Sequence, residues 1–416
     1  MCRLVSTPPY FVYYPRLADY ADYVVSNNTH FEMYLQSNSV PEKHSFPFPP
    51  PRGKGKNLFF AIFAPCGGPS LFINRVARGE SDERRYAIAV NLPNPTSLHS
   101  VLVTGADGYL GRQVTAALAA DRRQLITIVA SDVRSVPRDR QLPGVDYLAM
   151  DICSPELSRA LEKYRVDVVV HLAAVVTPGK RSNRQLEYNV DVLGTENVLT
   201  ACLKAGVKKI IYTSSGAAYG YHADNPSWLD EGDPIRGNVE FAYSYHKRLV
   251  EKMLARYRKE HPELGQLIFR PGFILGAATR NQITNLLDQP RITGLKGANS
   301  PFVIIWDQDV VGAILQGIFR GGRGIYNLAG DGILTLSEMA GLLGKPYREL
   351  PVWAVTVALW VGKKLGLTQY GPEQVRFLRY RPVLSNRRLK KEFGYTPQKT
   401  TRQVFEYYLE SRCHGG

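Results

Sequence analysis

The sequence predicts an α/β protein, a doubly wound parallel sheet with a smaller C-terminal lobe. Three observations predict it. From about residue 98 onward, short runs rich in Val and Ile alternate with helical patterns, and strict alternation of strand and helix builds right-handed βαβ units around an open parallel sheet. The first of those runs ends in a glycine-rich turn, "VLVTGADGYLG". Beyond Pro271 the alternation loosens while strand and helix signals continue, as expected of a second lobe.

Taken in order, residues 1–98 are rich in proline, asparagine and aromatics, as in "NSVPEKHSFPFPPPRGKGKNLFF", with no sustained period of 2 or 3.6. They read as a disordered appendage, or a non-native extension ahead of "HSVLVTG". The strands expected next are "SVLVTG", "LITIVAS", "VDYLAM", "VDVVVHLAA", "KKIIYTSS" and "QLIFRPG"; near-continuous apolar runs suit parallel strands buried on both faces. Between them lie helical patterns such as "RQLEYNVDVLGTENVLTACLKAG" and "YSYHKRLVEKMLARYRKEH". Residues 99–270 are therefore expected to form a Rossmann-type nucleotide-binding domain. Residues 271–416 are expected to form mainly a substrate-binding lobe, with late strands ("FVIIW", "GIYNLAG") returning to the sheet and a helix in "LTLSEMAGLLG" capped by Ser337.

Composition narrows the function classes. A hydrophobic content of 44% and a charged content of 21% are ordinary for a globular protein, whereas the net charge of +15 is not. The densest basic run (Arg376, Arg379, Arg381, Arg387, Arg388, Lys390, Lys391) has no nucleic-acid motif beside it and reads as a solvated face. Five scattered cysteines form no CxxC pair, which argues against a disulfide framework or a metal site and suits the cytoplasm. No apolar run reaches the ~18–20 residues of a membrane span. The nearest, "LPVWAVTVALWVGKKLGL" (Leu350 to Leu367), reads as a packed helix of the lobe. Its sharper reading is a greasy lid or interfacial helix serving a lipid-like substrate, with Trp353 and Trp360 as anchors, and the stretch from 350 to 367 as a place for peripheral membrane contact.

Gly105, Gly108 and Gly111 lie between a strand and a helix. One glycine makes the tight turn, one lets the backbone approach a pyrophosphate, and one lets helix and strand pack closely; the helix N-terminus offers unpaired N–H groups to that anion. Asp132 ends the next strand, where a carboxylate accepts from both ribose hydroxyls and repels a 2′-phosphate, so NAD is expected over NADP, with Arg134 two residues on as the contrary signal. Asp151 ends the third strand, to meet the adenine or to cap the following helix.

In "AYSYHK", Tyr243 and Lys247 are four residues apart and share a helix face; Tyr245 points elsewhere. A tyrosine is a poor base at neutral pH, but a neighbouring ammonium stabilises the phenolate. Ser215 in "IIYTSSGAAYG" lies at the carboxyl end of a strand, where open α/β sheets bind ligands. Together the three suit proton transfer to and from a hydroxyl. His171 reads as a packed strand residue, since no second ligand type accompanies it for a metal.

These residues resemble the extended short-chain dehydrogenase/reductases, in the NAD-dependent epimerase/dehydratase branch, from about Ser100 to Arg412. "TGADGYLG" resembles the family's TGxxGxxG, "HLAA" its fourth-strand motif, "YNVDVLGTENVL" its asparagine-bearing helix, "YSYHK" its YxxxK, and "FRPGFILG" its arginine–proline turn. The resemblance implies an NAD-dependent enzyme that oxidises and re-reduces a hydroxyl of a sugar or nucleotide-sugar. Tyr243 would be the acid/base, Ser215 the oxygen binder, and Lys247 the group that lowers the tyrosine pKa and holds the nicotinamide ribose. It further implies cofactor contacts from Gly105, Asp107, Gly108, Tyr109, Leu110, Gly111, Asp132, Asp151, Ile152, Leu172, Ala173, Ala174, Asn189 and Pro271, no metal, and a homodimer through the fourth and fifth sheet-flanking helices. The pattern departs from the family where an arginine usually meets the substrate diphosphate. Here stand Ser300, Pro301 and Phe302, with Arg291 or Lys296 as substitutes. That departure favours the alternative, a 3β-hydroxysteroid-dehydrogenase-like oxidoreductase of an apolar alcohol. A nucleotide-binding scaffold without chemistry is the third reading.

Overall fold

A computed structural model describes residues 30–35, 42–47, 61–62, 70–74, 87–91, 100–176, 183–298, 301–367 and 371–413; Cys2, Cys66 and Ser300 lie outside them. The chain forms two compact units, Met1–Ser97 and Leu98–Gly416. In the first, β1 (His30–Leu35) pairs antiparallel with β2 (Glu42–Pro47), and β3 (Ala61–Ile62), β4 (Ser70–Asn74) and β5 (Ala87–Asn91) form an antiparallel sheet in that order.

The second unit opens with β6 (Ser100–Thr104), α1 (Tyr109–Ala120), β7 (Thr127–Asp132), β8 (Asp146–Ala149), α2 (Glu156–Lys163) and β9 (Val168–His171). Then come α3 (Arg184–Tyr188), a π-turn over Asn189–Gly194, α4 (Thr195–Lys204), β10 (Lys209–Thr213), α5 (Ala242–Glu260) and β11 (Gly265–Pro271). Past Pro271 the chain makes β12 (Phe273–Leu275), α6 (Gln282–Leu287), β13 (Ile292–Leu295), β14 (Ile304–Trp306), α7 (Asp307–Phe319) and β15 (Gly324–Leu328). It closes with α8 (Leu336–Leu342), β16 (Tyr347–Leu350), α9 (Val352–Lys364), α10 (Gln374–Arg379) and α11 (Thr401–Cys413).

Seven parallel strands lie in the order β15-β11-β10-β9-β6-β7-β8. The Val- and Ile-rich runs explain this: β6, β9 and β11 are buried along their whole length, and their alternate side chains feed two apolar clusters, one on each face. The chain leaves β6 in one direction, through β7 and β8, and returns on its other side at β9. The reversal opens a crevice at the carboxyl ends of β6 and β9, the place where such sheets take ligands. Of the late strands, β15 returns to the sheet beside β11, while β14 pairs with β12 in a separate two-stranded piece and β13 with β16 in another.

Two expectations change. The cap of α8 is Thr335, not Ser337. Thr335 accepts from the Glu338 N–H at 3.2 Å while Glu338 reaches back to the Thr335 N–H at 2.7 Å, a capping box that leaves Ser337 inside the helix. And α9, expected to pack, does so through one half-buried side only, with none of its residues fully buried.

Candidate active site

The glycine turn lies at the mouth of the crevice. Gly105 takes a left-handed conformation, φ +67°, and a Cβ there would meet the Ala173 nitrogen at 2.7 Å; one on Gly111 would meet the Gly105 oxygen at 2.1 Å. Only glycine permits both the turn and the approach of α1 to β6. At its start α1 has no side-chain cap, so its first N–H groups face the crevice with their dipole. Asp132, at the end of β7, accepts from the Asp107 N–H at 3.0 Å and the Arg134 N–H at 3.3 Å. Asp107 itself pairs with Arg112 at 2.9 Å and Arg140 at 3.4 Å. Tyr109 donates to Asp307 at 2.6 Å and accepts from Thr279 at 2.9 Å, fastening the start of α1 to the lobe, while Leu110 packs into the core. Asp151 accepts from the Cys153 N–H at 2.9 Å, the beginning of a turn, and Ile152 is buried beside it. Leu172, Ala173 and Ala174 follow β9, half-buried, and Pro271 closes β11 against Leu328. A turn that only glycine fits, an uncapped helix start and a carboxylate one strand away suit a dinucleotide.

His171 lies between two threonines, its Nδ1 2.7 Å from Thr104 Oγ1 and its Nε2 3.0 Å from Thr195 Oγ1. Thr195 spends its proton on the Asp191 carbonyl at 2.6 Å, so Nε2 carries the imidazole proton and Nδ1 accepts from Thr104. Burial first, then Lys247, pulls the His171 pKa down to about 3; the ring is a neutral strut.

On α5, Tyr243 faces Ser215, whose Oγ accepts from the Ala217 N–H at 3.1 Å. Tyr245 turns away, between the guanidinium groups of Arg184 and Arg248. Lys247 donates to Tyr212 Oη at 2.9 Å and to the Thr213 carbonyl at 3.0 Å, with its ammonium 5.7 Å from the centre of the Tyr243 ring. Burial pulls Lys247 down to about 8, against the opposite pull of Asp191 and Glu251. Tyr243 is pushed up to about 12 by burial, with Ser215 lowering it and Asp191 raising it. Asn189, to which the resemblance pointed, accepts from Gln185 Nε2 at 2.8 Å through its Oδ1. Asp191 instead faces inward, accepting from the Val175 N–H at 2.8 Å and pairing with His246 at 3.0 Å.

A buried network holds these groups together. Arg270, on β11, meets Glu251 of α5 at 2.5 Å, and Ser214, the neighbour of Ser215, donates to the same carboxylate at 2.6 Å. Arg270 also donates to Tyr219 Oη at 2.8 Å. Burial alone would lower the Arg270 pKa, but Glu251 raises it overall.

The residue missed from sequence is Arg381. Of its neighbours in the basic run, exposed Arg387 pairs with Asp230 at 3.2 Å and half-buried Arg388 with Glu392 at 2.8 Å. Arg381 turns inward and stacks on Phe302 at 3.9 Å and Phe377 at 4.5 Å. Its buried Nη1 has no hydrogen-bond partner among the described residues, and burial pulls it down to about 10. Phe377 packs on Tyr221 and Phe241, the latter heading the helix that carries Tyr243. A cavity of about 410 Å³ adjoins them, lined by Tyr221, His222, Val375, Arg376, Arg379 and Tyr380. Arg291 and Lys296, the expected substitutes, are exposed.

Sheet order and glycine turn are those of a doubly wound, dinucleotide-binding fold. Residues 101–299 match the model of the NAD dependent epimerase/dehydratase family, and the chain carries a domain of that family. An uncharacterized protein of Mycobacterium tuberculosis is 27% identical over 75% of this chain and 84% of its own length. The N-acetyl-alpha-D-glucosaminyl-diphospho-ditrans,octacis-undecaprenol 4-epimerase of Escherichia coli O157:H7 is 34% identical over 46% of this chain and 53% of its own. The dTDP-glucose 4,6-dehydratase of Bacillus anthracis, solved in complex with NAD, superposes with a TM-score of 0.59 at 18% identity, covering 76% of this chain and 97% of its own. The family is NAD dependent, in agreement with the cofactor expected from Asp132.

Proposed function

We propose that this enzyme remodels a hydroxyl of a sugar that carries a diphosphate, by transient oxidation and re-reduction. The observation that carries the reading is the meeting of Ser215, Tyr243 and Lys247 at the carboxyl edge of the sheet, beside the inward-facing Arg381. In this reading the turn of Gly105, Gly108 and Gly111 and the start of α1 hold the NAD pyrophosphate, and Asp132 holds its adenosine ribose. Bound NAD supplies the acceptor for the electron pair of a carbinol C–H bond.

The chain's own residues do the rest. Tyr243, protonated at neutral pH without a bound cation, would release its proton to solvent as positive charge beside it stabilises the phenolate. The phenolate then takes the proton of the reacting hydroxyl and returns it on reversal. Ser215 holds the reacting oxygen. Lys247 spends two N–H bonds on Tyr212 and Thr213 and keeps a third for the cofactor ribose. Arg381, already desolvated, gains a partner in a substrate phosphate. A homodimer through α4 and α5 belongs to the same reading and is checked by sedimentation velocity.

The aromatic trio Tyr221, Phe241 and Phe377 supports the second reading, oxidation of an apolar alcohol. One experiment separates the two. The full chain is incubated with nucleoside-diphosphate sugars and, separately, with hydroxysteroids, while products are followed by NMR and NADH by absorbance. Sugar isomerisation or dehydration without net NADH is expected. Steady NADH from the steroids, with every sugar unchanged, would replace the first reading by the second.

A further inference from the structure

We propose that the outward face of α9 seats the C-terminal lobe on an anionic lipid surface. This inference does not rest on the substrate reading. Trp353, Val357, Trp360, Val361 and Lys364 follow the i, i+4, i+7, i+8, i+11 spacing of one helix face. All five are exposed, Trp353 by 71% and Trp360 by 54%. The opposite stripe, Val352, Val355, Thr356 and Leu359, is half-buried against the lobe. The helix is thus held on one side and leaves two indoles in solvent on the other. Isolated surface apolar residues need no explanation, but a continuous stripe does.

Charge selects the occupant. Among its residues α9 has no Asp or Glu; its last turn carries Lys363, which pairs with Glu373 at 3.2 Å, and Lys364, 5.1 Å from the centre of the Trp360 ring. The adjacent α10 exposes Arg379 and also Arg376, the latter paired with Glu240 at 2.9 Å. Indoles flanked by cations are suited to the headgroup boundary, where the ring sits among acyl chains and the ammonium meets phosphate. A second copy of this chain would bring the same cations against the stripe, in a protein of net charge +15. At about 1.5 Å per residue the helix is too short to span a bilayer, and among the described residues no helix is long and apolar enough to do so. The fit is a helix lying in the interface plane.

The test uses the full chain and sedimentation with phosphatidylcholine vesicles, with and without phosphatidylglycerol. Binding is expected with phosphatidylglycerol, weaker as salt rises, with a blue shift of tryptophan emission. The double variant Trp353→Asp, Trp360→Asp should lose about 100-fold in partitioning, about tenfold for each apolar anchor. A wild-type protein that stays in the supernatant with both vesicle types overturns the proposal. So does a double variant that still binds like the wild type. Self-association in the absence of lipid, abolished by the double variant while vesicle binding is nil, would assign the face to a second copy instead.

Discussion

The catalytic end and the C-terminal lobe treat buried and apolar groups in opposite ways. Behind Tyr243 the ionised groups of the buried network find partners in the protein itself: Arg270 has Glu251 and Tyr219, Ser214 shares that carboxylate, and Lys247 has Tyr212 and Thr213, although Arg248 of the same helix keeps a buried Nε unpaired among the described residues. In the lobe, half-buried Arg381 keeps a buried Nη1 with no partner among the described residues, and α9 shows two tryptophans to solvent. The difference teaches where the protein is finished and where it waits. A satisfied network fixes geometry before any ligand arrives, whereas an unsatisfied cation and an uncovered apolar stripe are costs that a ligand or a surface can remove.

The largest expected effect breaks the catalytic side alone. Tyr243→Phe should lower kcat by roughly 10²–10⁴-fold while the cofactor content of the purified protein stays the same, measured by releasing and assaying nucleotide. Next, Glu251→Ala leaves the Arg270 guanidinium buried without its carboxylate, and should cost about 3–5 kcal/mol in urea unfolding. Arg381→Met is the contrast that sharpens the comparison. Because no described residue satisfies its Nη1, the change should leave stability equal or higher, yet weaken binding of a diphosphate-bearing ligand by roughly 10–100-fold, corresponding to a charged hydrogen bond of ~1.5–3 kcal/mol. An Arg381→Met protein destabilised as much as Glu251→Ala would mean the two regions do not differ.

Smaller and pH-dependent is the signature of Lys247. Its pKa falls from 10.5 to about 8 on folding. Between those values the unfolded chain holds a proton that the folded one lacks, so stability rises with pH across that window, and the cost of the buried ammonium is fully present below it. Lys247→Met removes the slope. Unfolding midpoints of the two proteins compared from pH 7 to pH 11 should converge as pH rises, by on the order of 3 kcal/mol. Smallest is Thr335→Ala, which removes the cap of α8 at a cost of ~1 kcal/mol and leaves kcat unchanged.

How much of this was legible beforehand follows the same divide. The strands of the sheet and the turn of Gly105 and Gly111 were readable because local rules govern them: burial on both faces, and a conformation that only glycine adopts. Tyr243 could be separated from Tyr245 by helical spacing alone. Arg381 could not be separated from Arg379, because what draws it inward is Phe302 and Phe377, brought together from distant segments. Asp191 was hidden by the π-turn over Asn189–Gly194, whose wider winding changes which side chain faces in. Ser337 lost the cap to Thr335 because two candidates stood two residues apart and only Thr335 has the glutamate three residues on.

The strand order has a consequence in time. β11 is buried along its whole length, yet one of its two neighbours, β15, follows it by more than fifty residues. While the chain is being synthesised, β11 can dock on β10 as soon as it emerges, but its other edge stays open until Leu328 has left the ribosome. At ~5–20 residues per second that interval is several seconds. During it, an apolar strand with a row of unpaired amides is a template for the wrong partner, so the yield of folded protein should depend on holdase chaperones more steeply than its final stability suggests.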